Sequence, residues 1–223
     1  MKIYTYYEEI PPGKSRHTPE SQKALLEVWR RSWSRHGWEP VVLNRENAKQ
    51  HPGYKFFEHK FLRLPTKYGH DHQITSFMRW VAMGAIRGGG LLVDFDVMNY
   101  GFLPPVEPEI NKLIIFGDNP PDVLFLGAVL ATEAMFDFTA NIMAEWIVSP
   151  TDFIKDSAEF RGYHCSDLSI LKRLFELKAT WIEKRPGCAL YEYPSWKTSP
   201  LVHYHTGVRL MHGDSAEWVE KIR

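Results

Sequence analysis

Cysteine is almost missing: Cys165 and Cys188 are the only two in 223 residues. That excludes the disulfide framework of a small secreted domain and the spaced thiol cluster of a structural zinc site, and it fits a reducing compartment. An excess of either charge is missing too, with Lys plus Arg and Asp plus Glu at 27 each. There is no global cationic field to draw the chain to nucleic acid or anionic lipid. No apolar run approaches the roughly 20 residues that cross a bilayer. The opening MKIYTYYEEI alternates like a first strand instead of joining a basic start to an apolar signal core. The expectation is a cytoplasmic protein with no membrane span, a membrane-bound partner being left open. No Ser/Gly/Pro-rich linker, repeat or low-complexity tract divides residues 1–223, so a single domain is expected.

Aromatic residues, by contrast, are plentiful. The eight tryptophans would suit stacking on sugar rings, but most sit at spacings that a core explains equally well. Thr18 followed by Pro19 predicts a helix start and Gly37 its stop, with Leu25, Trp29 and Trp33 recurring every four residues. Trp38–Asn44 then reads as a second strand, giving a βαβ opening. Ile74, Phe77, Met78, Val81 and Ala85 share one helical face, and Gly88–Gly90 turn that helix into LLVDFD. The Gly triplet precedes a strand and lacks the GK[ST] ending of a P-loop. Further strands are predicted over Lys112–Phe116 and Asp122–Ala131, separated by the turn Asp118–Pro121. Thr132 caps a helix that Ser149-Pro150 ends. Another helix starts at Ser166, with Asp167 in its first turn, and buries Leu168, Leu171 and Phe175. Leu201–Thr206 is a late strand, and Asp214 with Glu217 makes a capping box.

Chemistry concentrates in GGGLLVDFDV, Gly88 to Val97. Strand alternation puts Asp94 and Asp96 on one side of the backbone and Phe95 on the other. Two adjacent acids at the end of a buried strand are costly unless a cation sits between them. A hard divalent metal is the natural cation, and a diphosphate would complete its coordination. The ordinary alternative is that these acids begin a turn and bind nothing. In LVHYHTGVR, alternation also puts His203 and His205 on one side. Imidazole with carboxylates suits Mn²⁺ and its neighbours better than Ca²⁺; two histidines satisfied at a strand end are the alternative, and which of them would be the ligand stays open. His70 and His72 fall in a loop-like stretch and are expected to be solvated or substrate-facing.

The string SFMRWVAMGAIRGGGLLVDFDV, Ser76 to Val97, resembles glycosyltransferases of the DxD sugar-binding-region type, which have the GT-A fold. The late LVHYHTG is similar to the carboxyl-terminal histidine segment of many such enzymes. The resemblance implies an α/β, single-domain nucleotide-diphospho-sugar transferase fold with a mixed, mainly parallel sheet flanked by helices. It implies transfer of a sugar from a UDP- or GDP-sugar to an acceptor saccharide, lipid or protein, with a lean towards retention. Mn²⁺, or else Mg²⁺, would be held by Asp94, Asp96 and His203, Asp96 being the more direct ligand and Asp94 also meeting the donor. Thr5 and Tyr6 would face the nucleobase.

Arg79 would correspond to a helix arginine that approaches the donor. On a helical wheel it lies roughly 140° from Ile74, off the apolar stripe, where solvent is the alternative. Asp167 would meet the acceptor or reacting sugar and support the reaction electrostatically; an acid in a first helical turn is also favoured by the helix dipole alone.

Two other classes compete. An apolar strand ending in DxD occurs in haloacid-dehalogenase-type phosphatases, although there it lies near the amino terminus, with Thr or Val where this chain has Met98. A metal-dependent carbohydrate-binding module would use the same acids without a nucleotide. Asp96→Asn is expected to abolish metal-dependent nucleotide binding and to leave the fold largely intact, because it relieves repulsion between neighbouring acids.

Overall fold

The computed structural model describes residues 1–10, 17–63, 70–104, 106–118, 127–148, 166–191 and 194–212. β1 (Lys2–Tyr6), α1 (Pro19–Ser34) and β2 (Glu39–Leu43) form the expected βαβ opening, with β1 and β2 parallel. The α1 start is built as its sequence requires: the Thr18 side chain accepts from the Ser21 N–H and Pro19 is the first helical residue. Gly37, at φ 81°, takes the left-handed conformation that turns the chain into β2.

Short helices α2 (Arg45–Ala48) and α3 (Tyr54–Phe61) lead to α4 (His70–Gly84), which feeds the central strand β3 (Gly90–Val93). β4 (Val97–Asn99), β5 (Leu113–Phe116) and β6 (Ala128–Ala131) follow, then α5 (Glu133–Val148), α6 (Asp167–Glu176), β7 (Ile182–Arg185), β8 (Cys188–Leu190), β9 (Leu201–His203) and α7 (Thr206–Met211).

The main sheet has the order β2-β1-β3-β6-β5-β7, and a smaller one the order β4-β9-β8. In the main sheet β1 is parallel to β2 and β3, β5 is parallel to β7, and β6 runs antiparallel to both neighbours. This is an α/β architecture on a mixed sheet. Its two faces separate with the period of two that strands impose. Tyr4, Leu92, Leu113, Ile115 and Val129 join α3, α4 and α5 in one core. Ile3, Leu91, Val93, Ile114 and Leu130 join Trp29 and Trp33 of α1 and Val97, Leu201 and Val202 of the small sheet in the other. Each such large side chain, once fully buried, contributes roughly 1.5–3 kcal/mol before entropy is counted. Among the described residues, no helix is long and apolar enough to cross a membrane.

Four expectations change. His70 and His72 lie in the first turn of α4, not in a loop. Besides Ile74, Phe77, Met78 and Val81, α4 buries Trp80, Ala82 and Met83, because α3 and α5 cover flanks that a one-faced helix would leave wet. β9 stops at His203 and the chain enters α7 at Thr206, so His205 lies outside the strand. β3 stops at Val93, opposite Ala128, leaving both acids of the DxD beyond the ladder. Cys165, the segment Asp122–Leu126, the Asn119–Pro121 part of the expected turn, the Ser149-Pro150 stop and the Asp214/Glu217 capping box fall outside the described residues.

Candidate metal centre

β1, β2 and β3 are parallel and finish at one edge of the main sheet, the edge at which open α/β sheets take ligands. Asp94 stands there, just after β3. The chain turns at once: the Val97 N–H donates to the Asp94 carbonyl at 2.9 Å. The turn is pinned from three sides. Asp94 N–H donates to the Gly127 carbonyl, Tyr204 N–H to the Asp96 carbonyl, and the Trp33 indole to the Val97 carbonyl at 3.0 Å. Turn geometry therefore brings the two carboxylates together, where strand alternation was expected. Phe95 between them packs edge-on against Tyr7.

His203 reaches the acids because β9 pairs antiparallel with β4, which sets it directly opposite Val97. Its Nε2 lies 3.2 Å from Asp96 Oδ1 and 3.8 Å from Asp94 Oδ2. One ligand atom from each of Asp94, Asp96 and His203 lies within 4.8 Å of the others, which is close enough for a single ion. His205 is not in this group; its ring stands 6.1 Å from that of His203. Two carboxylate oxygens and an imidazole nitrogen, with Asp94 27% exposed at the sheet edge, suit Mn²⁺ or a similar ion and leave coordination sites open. The donor set fits the ion expected from the sequence.

Electrostatics bind the cluster together without an ion. Burial raises the Asp94 carboxyl pKa to about 6, against the pull of Arg79 and His203. At Asp96 burial also opposes ionisation, but His203, through its charge and hydrogen bond, and Arg209 outweigh it and hold the pKa below the ordinary value. His203 mirrors this: burial opposes its charge, and Asp96 and then Asp94 raise its pKa overall. Asp96 still raises the Asp94 pKa while His203 and Arg209 favour the charge on Asp96, so Asp96→Asn relieves the first interaction and removes the second. Burial, with Asp118, Asp94 and Asp96 adding, pushes the Cys188 thiol pKa up.

Arg79 is not solvated. Its side chain is 12% exposed and bridges two acids. Nη1 donates to Asp94 Oδ1, while Nε and Nη2 donate to Asp167 Oδ2 at 2.9 and 2.6 Å. Asp167, 5% exposed, also accepts from the Trp80 indole at 2.9 Å and the Leu168 N–H at 2.8 Å. The Ser166 cap and its reciprocal bond with Ser169 fix this helix start. Position on the wheel missed all of this, because α6 stands where solvent was expected.

Thr5 is fully buried, and Tyr6 is 8% exposed with its hydroxyl given to Glu8. Glu8 in turn receives both Nε and Nη2 of Arg45 at 2.9 Å. The Tyr6 side chain thus braces the end of β1 through Glu8 and Arg45, and neither Thr5 nor Tyr6 presents an exposed side chain. Arg209 was missed by the sequence reading. It is 3% exposed, sits over the Phe95 ring, and acts on Asp96; a lone arginine on a short helix has no periodic signal to announce it.

The fold and this cluster define an α/β protein with an Asp–Asp–His cluster just beyond the carboxyl end of β3. Residues 1–116 match the family described as Domain of unknown function (DUF8765), and the chain belongs to it. The matched segment ends with β5; it contains Arg79, Asp94 and Asp96, while Asp167 and His203 lie beyond it. No curated protein matches the chain.

Proposed function

We propose that the protein is a metal-dependent glycosyltransferase of the DxD sugar-binding-region type, with the GT-A fold, moving a sugar from a UDP- or GDP-sugar to an acceptor. One observation carries this reading: Asp94 and Asp96, the acids of the Gly-Gly-apolar-DxD string, meet His203 from the distant β9 just beyond the end of β3. A divalent ion bound there, Mn²⁺ or Mg²⁺, would supply a Lewis acid for the negative charge that grows on the departing diphosphate. Asp96, His203 and Asp94 Oδ2 are the groups that would hold the ion. Arg209 adds positive charge beside Asp96. Asp167 accepts from Arg79, the Trp80 indole and the Leu168 N–H, and its part in this reading is to fix Arg79. That role agrees with retention. Use of Asp94 as a phosphatase nucleophile fits less well, because Arg79 engages its Oδ1.

The test is thermal unfolding with UDP-sugars and GDP-sugars, with and without Mn²⁺. A donor at about 100 times its Kd adds roughly 2.7 kcal/mol, which raises Tm by about 5–10 °C in a chain of this size. Asp96→Asn removes that metal-dependent shift. Binding of free sugar while neither nucleotide binds would favour the carbohydrate module, and phosphate release from a phosphomonoester the hydrolase.

A further inference from the structure

The two oxygens of Asp94 have different surroundings. Oδ1 accepts from Arg79 Nη1, whereas Oδ2 faces His203 Nε2 at 3.8 Å. Arg79 cannot easily swing away, since Nε and Nη2 are both fastened to Asp167 Oδ2. Asp167 is itself held by the Trp80 indole and the Leu168 N–H in a buried pocket. One oxygen of Asp94 is therefore aimed at the cluster and the other is withheld from it.

We propose that Arg79, anchored by Asp167, confines Asp94 to a single-oxygen ligand and so makes the centre select Mn²⁺ or Mg²⁺ over Ca²⁺. This rests on the reading of Asp94, Asp96 and His203 as a divalent-metal centre. Mg²⁺ is small, demands six ligands near octahedral geometry, and keeps waters beside one or two carboxylates. Ca²⁺ takes six to eight oxygens at about 2.3–2.6 Å and readily uses a carboxylate through both. A carboxylate with one oxygen already hydrogen-bonded to a fixed guanidinium meets the first demand and refuses the second. The His203 nitrogen also disfavours Ca²⁺, but that contribution does not depend on Arg79, so substitution at Arg79 isolates the claim. Asp167, Trp80 and Arg79 are positioning residues in this scheme.

The experiment is calorimetric titration of the full chain with Mn²⁺ and with Ca²⁺, backed by Ca²⁺ competition against the Mn²⁺ paramagnetic signal. Wild type is expected to favour Mn²⁺. In R79M both Asp94 oxygens are released, and the Mn²⁺-to-Ca²⁺ affinity ratio should fall at least about tenfold, the lower end of what a metal ligand's hydrogen-bonding partner commonly controls. An unchanged ratio in folded R79M overturns the proposal. Should R79M fail to fold, a crystal of wild type grown with Mn²⁺ decides: Asp94 bound through one oxygen with Arg79 on the other supports it, and two-oxygen coordination overturns it. If wild type binds neither ion, the metal centre itself is refuted; if it binds Mn²⁺ and the ratio stays put, only the role of Arg79 is.

Discussion

Replacing Asp167 separates an anchor from a poised catalytic acid. Its carboxylate accepts from Arg79 Nε and Nη2, the Trp80 indole and the Leu168 N–H, and Trp80 is fully buried. In D167L those donors lose their acceptor together. Arg79 keeps only Asp94, and the indole N–H has no water to turn to. Breaking a buried ion pair by removing one partner costs about 3–5 kcal/mol. With roughly 2–4 °C of Tm per kcal/mol at this chain length, the midpoint should fall by about 6–20 °C. D167N should cost about half as much: if its oxygen serves Arg79 and Trp80, its NH₂ points at the Leu168 N–H, and that part-buried donor loses its partner. Far-UV circular dichroism during heating, checked by urea unfolding with the slope compared between variants, measures both. An acid held ready for chemistry is a strained element whose loss leaves stability level or raises it. If D167L unfolds within about 1 kcal/mol of wild type, or above it, the anchoring role assigned to Asp167 is wrong.

Two other sites give equally direct tests. Gly88 and Gly89 both have positive φ, 82° and 72°, so an alanine at either pays a left-handed penalty of roughly 1–2 kcal/mol. At Gly89 the new Cβ would also stand 2.2 Å from the Ala131 carbonyl oxygen, whereas at Gly88 it meets nothing within 4 Å. G89A should therefore lose at least twice the stability of G88A by urea midpoint, and equal losses would refute the close packing of this turn on the β6–α5 junction. Glu58 is held below its ordinary pKa of 4.5, chiefly by the Tyr54 hydroxyl and then by Lys55 and Arg45. A depressed carboxylate contributes stability above its unfolded pKa and loses it as pH falls through the folded value. The Tm gap between wild type and E58Q should thus be open at pH 6, worth up to about 1 kcal/mol, and close towards pH 3. A gap constant across that range would sink the assignment.

What was legible in the chain differs between fold and site for a physical reason. The βαβ opening was readable because its signals are local: Thr18 and Pro19 start α1, Trp29 and Trp33 mark its buried face, and Gly37 stops it within a few residues. The residues that cluster were readable too, since DxD and a late histidine are short strings. Their geometry was not, because it depends on where β3 stops pairing. That is set by Ala128, the last partner β6 offers to Val93, in a segment far along the chain. Arg79 fails in the same way. A helical wheel reports direction from the axis but not what stands there, and the acid that receives this guanidinium comes from α6, 88 residues later. The equal totals of acidic and basic residues likewise say nothing about the balance that matters, which is local: Asp94, Asp96 and Asp167 are held by Arg79, His203 and Arg209 in one partly desolvated cluster. In so tight a balance an added divalent ion must displace or reorganise existing cations, not fill a bare negative hole. On the proposed reading, metal affinity would therefore be governed as much by Arg79 and Arg209 as by the acids that would touch the ion.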